Sequence, residues 1–208
     1  VDCVGYAVEG ALGFKEANGP RMVRTPWYDH PIPFEEAAEI GTRKVISEHA
    51  TVGIVVTTDG TVTEIPRSDY LEAEERAIRE LQSIGKPFVV LLNSADPESD
   101  EATALARELG EKYDAKCLPV NCLRLDEEEI RRIIQGLLYE FPLQEMDVFL
   151  PSWVDALPEE HPIRKCLVEL VAQKGNGLTH MRQMEGISRE MEQCDMVARC
   201  SVLQMDLG

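Results

Sequence analysis

Apolar positions along the chain gather into short runs separated by amphipathic stretches. Thr51–Thr57 (TVGIVVT) is apolar and β-branched, which predicts a strand buried on both faces of a parallel sheet. Pro87–Asn93 (PFVVLLN) predicts a second such strand and Lys116–Val120 a third. Between the first two, Ser68–Ile84 predicts a helix, with Ser68 placed to cap it, Ala77, Ile78 and Leu81 on its buried stripe, and Gly85 at its end. Further helices are predicted from Ser99 or Asp100 to about Tyr113, and from Asp126 to Leu138 with an acidic first turn. Ahead of them all, Phe34–His49 predicts a helix with Glu35 and Glu36 in its first turn and Ala37, Ile40 and Val45 on its inner face. Strands alternating with helices in this way predict right-handed crossovers and a parallel α/β sheet.

Both ends depart from that rhythm. Val1–Gly5 reads as the end of a strand and the loop after it, and Tyr6–Pro33 is a long irregular stretch rich in Gly and Pro. The pattern changes again near Phe141-Pro142, where a domain boundary is expected, giving domains over 1–142 and 143–208. Beyond it come a predicted strand (Met146–Leu150), a helix from His161 or Pro162 to Ala172, and a break at Gly175-Asn176-Gly177. A Met-rich helix over about Leu178–Cys194 and a last strand over Ala198–Met205 follow. The first residue, Val1, leads straight into an Asp-x-x-Gly element, so the chain is expected to be a piece of a longer protein.

Composition narrows the function classes. Thirty-eight acidic and 21 basic residues give a formal net charge of -17, which repels phosphate backbones and argues against nucleic-acid binding as the main role. The six cysteines form no Cys-x-x-Cys pair and have no His at zinc-finger spacing, so they read as reduced core thiols of a cytoplasmic protein. No apolar stretch reaches the length of a membrane span.

In a parallel α/β sheet ligands sit at the C-terminal ends of the strands, so the loops there hold the candidate chemistry. Asp2 of Asp2-Cys3-Val4-Gly5 can hold Mg²⁺ directly or through water, and Gly5 can bring its N–H close to a terminal phosphate; the same residues also suit an ordinary turn. After the second strand, Asn93 and Asp96 of Asn93-Ser94-Ala95-Asp96 can brace a loop or read a purine edge. After the third, backbone N–H groups around Cys122 can line a base pocket; as a nucleophile Cys122 lacks a nearby His to activate it. Thr57–Thr61 follows the first strand and either faces a nucleotide or forms a plain Asp-Gly turn. Trp27–His30 is either a switch loop or a clamp packed on the surface. Arg21, Arg24, Arg43, Lys44 and Arg67 are candidate phosphate partners, expected mostly to be solvated or paired with carboxylates.

Taken together, these elements resemble the GTPase-like P-loop class, with Asp2–Gly5 in the place of its third motif and Asn93–Asp96 in the place of Asn-Lys-x-Asp. Ser94 replaces the Lys, which removes a wall of a guanine pocket, and Tyr6 replaces the usual water-orienting Gln. Longer stretches are similar to the stage IV sporulation protein A family: DCVGYAVEGALGF, TPWYDHPIPFEEAAEIGTRKVI, VVTTDGTVTEIPR, FVVLLNSADP and VFLPSWVDALPEEHPI. That resemblance implies a three-layer P-loop NTPase (GTPase-like) α/β domain, N-terminally truncated here, followed by the start of an α+β middle domain. It implies binding and hydrolysis of ATP with Mg²⁺, with hydrolysis driving assembly into a homopolymer that forms the basal layer of the spore coat. It places the protein in the mother-cell cytoplasm, on the outer forespore membrane, recruited by a small amphipathic membrane-anchoring peptide and docked by spore coat proteins. Asp2 is then the magnesium-linked catalytic carboxylate and Gly5 the γ-phosphate contact. Asn93, Ser94, Asp96 and Cys122 line the nucleotide site, and the Lys-bearing phosphate loop lies upstream, so the piece alone is expected to be inactive. Two alternatives stand beside this reading: a structural interaction module with a vestigial nucleotide site, and a GTPase.

Overall fold

The computed structural model describes residues 1–16 and 19–206. The chain packs as two compact units, Val1–Leu137 and Leu138–Gly208. The first opens with irregular chain carrying two small antiparallel pairs, β1 (Lys15–Glu16) with β2 (Gly19–Pro20) and β3 (Met22–Val23) with β4 (Ile32–Pro33). The long stretch read as irregular therefore holds short ladders; its residues 17 and 18 lie outside the described set. Trp27 packs its ring edge 3.4 Å from where a Gly41 side chain would begin, so this segment lies against the helix that follows.

That helix, α1 (Phe34–Lys44), runs on as a wider π turn over Val45–His49 and leads into β5 (Gly53–Thr58). Then follow α2 (Arg67–Ser83), β6 (Phe88–Asn93), α3 (Asp100–Tyr113), β7 (Cys117–Val120) and α4 (Glu127–Tyr139). The three longer strands form one parallel sheet in the order β5-β6-β7, with Thr58, Asn93 and Val120 in one row at its C-terminal rim. Alternation along β6 sorts its side chains: Phe88, Val90 and Leu92 pack with Ile46, Ile78, Leu81, Ala106 and Leu109, while Val89 and Leu91 pack with Leu118, Val120, Ile133 and Leu137. α2 and α3 thus cover one face and α4 the other, a three-layer α/β arrangement. A buried network adds to the packing: Arg67 donates to Thr57 Oγ1 at 2.9 Å and pairs with Glu74 at 2.6 Å, and Tyr113 Oη donates to Glu74 at 3.0 Å.

Local signals account for the helix ends. Ser99 caps α3 by accepting from Ala102 N, and Asp126 and Glu129 form a reciprocal pair at the start of α4, each side chain accepting from the other's backbone N–H. Ser68 does not cap α2; the residue before the helix is Pro66, and Arg67 already belongs to the first turn. β5 is not buried on both faces. Ile54 and Val56 point to the face that α4 covers over β6 and β7, and both are half exposed.

The second unit contains α5 (Ser152–Asp155), α6 (Pro162–Gly175), a 3₁₀ turn over Met181–Gln183 and α7 (Met184–Met191). His161 starts α6 by accepting from Ile163 N. The Met-rich helix begins later than its pattern suggests, because Gln183 Oε1 turns back to accept from Thr179 N and His180 N at 2.7 and 3.0 Å. Neither predicted strand is present: 146–150 and 198–205 carry no regular structure. Their apolar side chains find no partner strand among the described residues, and Phe149 and Leu203 are nearly four-fifths exposed.

Ile78 lies on the packed face of α2 with no exposure. Ile78→Ala should lower stability by about 3 kcal/mol through lost burial and a residual cavity, read as a fall in the urea midpoint with an unchanged m-value.

Candidate functional site

The sheet brings three loops to one rim, those that follow β5, β6 and β7. Backbone bonds begin the join: Asp59 N donates to Asn93 O at 3.4 Å and Ser94 N to Val120 O at 2.9 Å. Side chains complete it. Asn93 Oδ1 accepts from Cys122 N at 3.0 Å, and Asn121 Nδ2 donates to Ala95 O at 3.3 Å. Asn93 therefore braces the loop after β7 through its side-chain oxygen. The Cys122 N–H, one of the expected pocket donors, is spent on that brace.

Ser94, in the place of the class's Lys, is 1% exposed. Its hydroxyl accepts from Asp96 N at 3.1 Å. The Thr61 hydroxyl donates to Asp59 Oδ1 at 2.6 Å and accepts from Ala95 N at 2.8 Å, while Thr61 N also donates to Asp59 Oδ1 at 2.9 Å. Asp59 thus accepts from both the hydroxyl and the backbone amide of Thr61, with Ser94 close enough to favour its ionised form. Burial pushes its carboxyl up, but these hydrogen bonds outweigh burial and hold it below the ordinary aspartate value. The Thr57–Thr61 stretch belongs to the rim, which its Asp-Gly sequence alone did not decide. Among the expected residues, Asp96 alone presents an exposed side chain here with no hydrogen-bond partner among the described residues. Its carboxylate is an acceptor open to a ligand's N–H edge.

The contacts of the Asp2–Tyr6 segment are with α1 and α2. Thr42 of α1 holds Gly5, its hydroxyl accepting from Gly5 N at 3.1 Å and donating to Gly5 O at 3.2 Å. Tyr6 is buried, with its hydroxyl donating to Glu80 and its ring beneath the Arg76 guanidinium at 4.2 Å. Arg76 is in turn clamped by both oxygens of Glu39, at 2.5 and 2.7 Å. Glu80 precedes Leu81, whose side chain packs against Gly53 and Phe88, the first residues of β5 and β6. Tyr6 therefore sits near the N-terminal ends of strands that run about 16 Å to Asn93. The Gly5-Tyr6 peptide finds its partners on α1 and α2, and no hydrogen bond joins Asp2 to the Asn93 loop among the described residues. Among the described residues no three His, Cys, Asp or Glu side chains gather to hold a metal ion.

Among the candidate phosphate partners, Arg21 lies over the Phe34 ring at 4.8 Å and three others are paired with carboxylates. Arg43 pairs with Glu80, Lys44 with Glu48 and Arg67 with Glu74. Burial raises the Cys122 thiol, and burial followed by the Glu74 carboxylate pushes Cys117 up to about 12, so neither is a thiolate at neutral pH.

A parallel sheet flanked by helices, with an Asn-x-x-Asp turn on its C-terminal rim, defines an α/β domain of the P-loop NTPase-like class. Residues 1–142 match the family model for the stage IV sporulation protein A ATPase domain, and residues 143–208 match that for its middle domain. The chain belongs to the stage IV sporulation protein A family. Over all 208 residues it is 45% identical to the stage IV sporulation protein A of Bacillus subtilis (strain 168) and to that of Bacillus anthracis, and 44% identical to that of Clostridioides difficile (strain 630). It spans 42% of the length of each. No solved structure matches it. No described helix is long and apolar enough to cross a membrane.

The Asp59 hub has a pH signature. Its folded pKa lies below the unfolded value, so its contribution to stability is present above the unfolded value of about 3.9 and disappears as pH falls through the folded one. Asp59→Asn should cost about 1–2 kcal/mol at pH 7. Urea unfolding should show that cost shrinking as the pH approaches 3.

Proposed function

We propose that the protein to which this chain belongs binds ATP with Mg²⁺ and hydrolyses it, with the base end of the nucleotide at the β5-β6-β7 rim. The match of residues 1–142 to an ATPase domain supports this reading. Within the chain, the observation that carries it is the exposed Asp96 carboxylate, fixed on a loop cross-braced from both neighbouring loops. Such a group is already oriented when the ligand arrives, so little ordering cost is left for binding. Bound Mg²⁺ would neutralise phosphate charge during transfer.

The phosphate cradle lies elsewhere. The 208 residues contain no Gly-x-x-x-x-Gly-Lys-Ser/Thr loop, so hydrolysis is a property of the longer protein. In that protein Asp2 acts as the magnesium-linked carboxylate and Gly5 as the terminal-phosphate contact, once the segment leaves its seat beside Thr42. Hydrolysis drives self-assembly into the basal layer of the spore coat on the forespore surface, where an amphipathic membrane peptide and coat proteins are its partners. The second unit offers material for such contacts, with Phe149, Trp153, Val168 and Leu203 each more than half exposed.

Asp96→Ala in the full-length protein should raise the KM for ATP about tenfold, as loss of a charge-assisted hydrogen bond does. Asp2→Ala should abolish turnover without a loss of folding by circular dichroism. Unchanged ATP kinetics in both variants would refute the site. Tighter binding of GTP than ATP in a competition assay would refute the choice of base.

A further inference from the structure

We propose that Asp59 is a positioning residue for the nucleotide site, acting on the Ala95-Asp96 turn through the hydroxyl of Thr61. This deepens the nucleotide reading above and rests on it. No contact of Asp59 with ligand is involved; its work is to set the direction of two hydrogen bonds.

A hydroxyl has one proton and can point it only one way. Thr61 Oγ1 lies 2.6 Å from Asp59 Oδ1 and 2.8 Å from Ala95 N. Ala95 N is a fixed donor, so the hydroxyl must accept from it and give its proton to Asp59. Beside it, Asp96 N donates to Ser94 Oγ at 3.1 Å. An ionised carboxylate is an acceptor only, so Asp59 takes the Thr61 hydroxyl proton and the Thr61 N–H together. With these directions fixed, the Ala95 amide is held and the Asp96 side chain next to it is set at the rim.

The substitution Asp59→Asn weakens this pattern. Thr61 N and the Thr61 hydroxyl converge on one Asp59 oxygen. An Asn oxygen can still accept from both, but without the carboxylate charge each bond loses its charge-assisted strength. Gly60 locks the same turn from below: its φ is +91°, and a side chain there would begin 3.0 Å from Arg67 N.

The test uses the full-length protein and two ligands, ATP and inorganic tripolyphosphate, which carries the phosphates without a base. Thr61→Val removes one hydroxyl with little change of volume. It should raise the KM for ATP about fivefold, the effect of one hydrogen bond, while the inhibition constant of tripolyphosphate stays at the wild-type value. Thr61→Ser, which keeps the hydroxyl, should restore ATP binding, and Asp59→Asn should raise the KM for ATP while leaving tripolyphosphate unchanged. Parallel weakening of both ligands would mean a general folding defect and overturn the proposal. So would an unchanged KM in Thr61→Val, or a Thr61→Ser variant no better than Thr61→Val. Wild-type protein that binds tripolyphosphate but shows no preference for ATP over it would overturn the base-end reading itself, and this proposal with it.

Discussion

The parallel pairing of β6 with β5 and β7 is the constraint on which everything else depends. A parallel strand with neighbours on both sides has its backbone groups engaged on both edges and its side chains buried on both faces. Val89, Val90 and Leu92 are wholly buried, which is possible only with helices above and below. Register then does the rest. Because Thr58, Asn93 and Val120 stand in one row, the loops that leave them have to start side by side. Short polar side chains (Asp59, Thr61, Ser94, Asn93, Asn121) close the gaps between those loops, so the rim is an extension of the sheet's own hydrogen bonding.

That construction changes what the motif residues do. In the resemblance to GTPase-like proteins, Asn93, Ser94 and Cys122 are read as ligand-facing. Here Ser94 is buried and Cys122 gives its amide to Asn93. A polar network of this kind is valuable only when its members are satisfied, and the Thr61, Asn121 and Cys122 donors at this rim each have an acceptor. Rigidity at the rim leaves Asp96 as the projecting group.

Much of the first unit was legible in the chain because its signals are local and redundant. An apolar β-branched run between two amphipathic stretches has few alternatives, and Ser99, Gly85 and the Asp126–Glu129 pair mark boundaries by chemistry that acts within a turn. What failed depended on partners far away in the chain. The apolar runs at 146–150 and 198–205 suit a strand, but a strand needs a neighbour, and none is present among the described residues. β5 reads as fully buried, yet Ile54 and Val56 lack a cover. Asp2–Gly5 carries a motif whose position is decided by Thr42, Glu80 and Arg76, dozens of residues onward. Asp59 and Thr61 were visible as a strand-end turn; their link to Ser94 and Ala95 arises only from strand register.

The central claim is that the three rim loops form one unit and that the nucleotide binds on it. Hydrogen exchange of the full-length protein, with and without ATP and Mg²⁺, tests this most directly. The account predicts that peptides covering 58–61, 93–96 and 121–122 gain protection together on adding nucleotide. Protection confined to other segments, with these three unchanged, would contradict it.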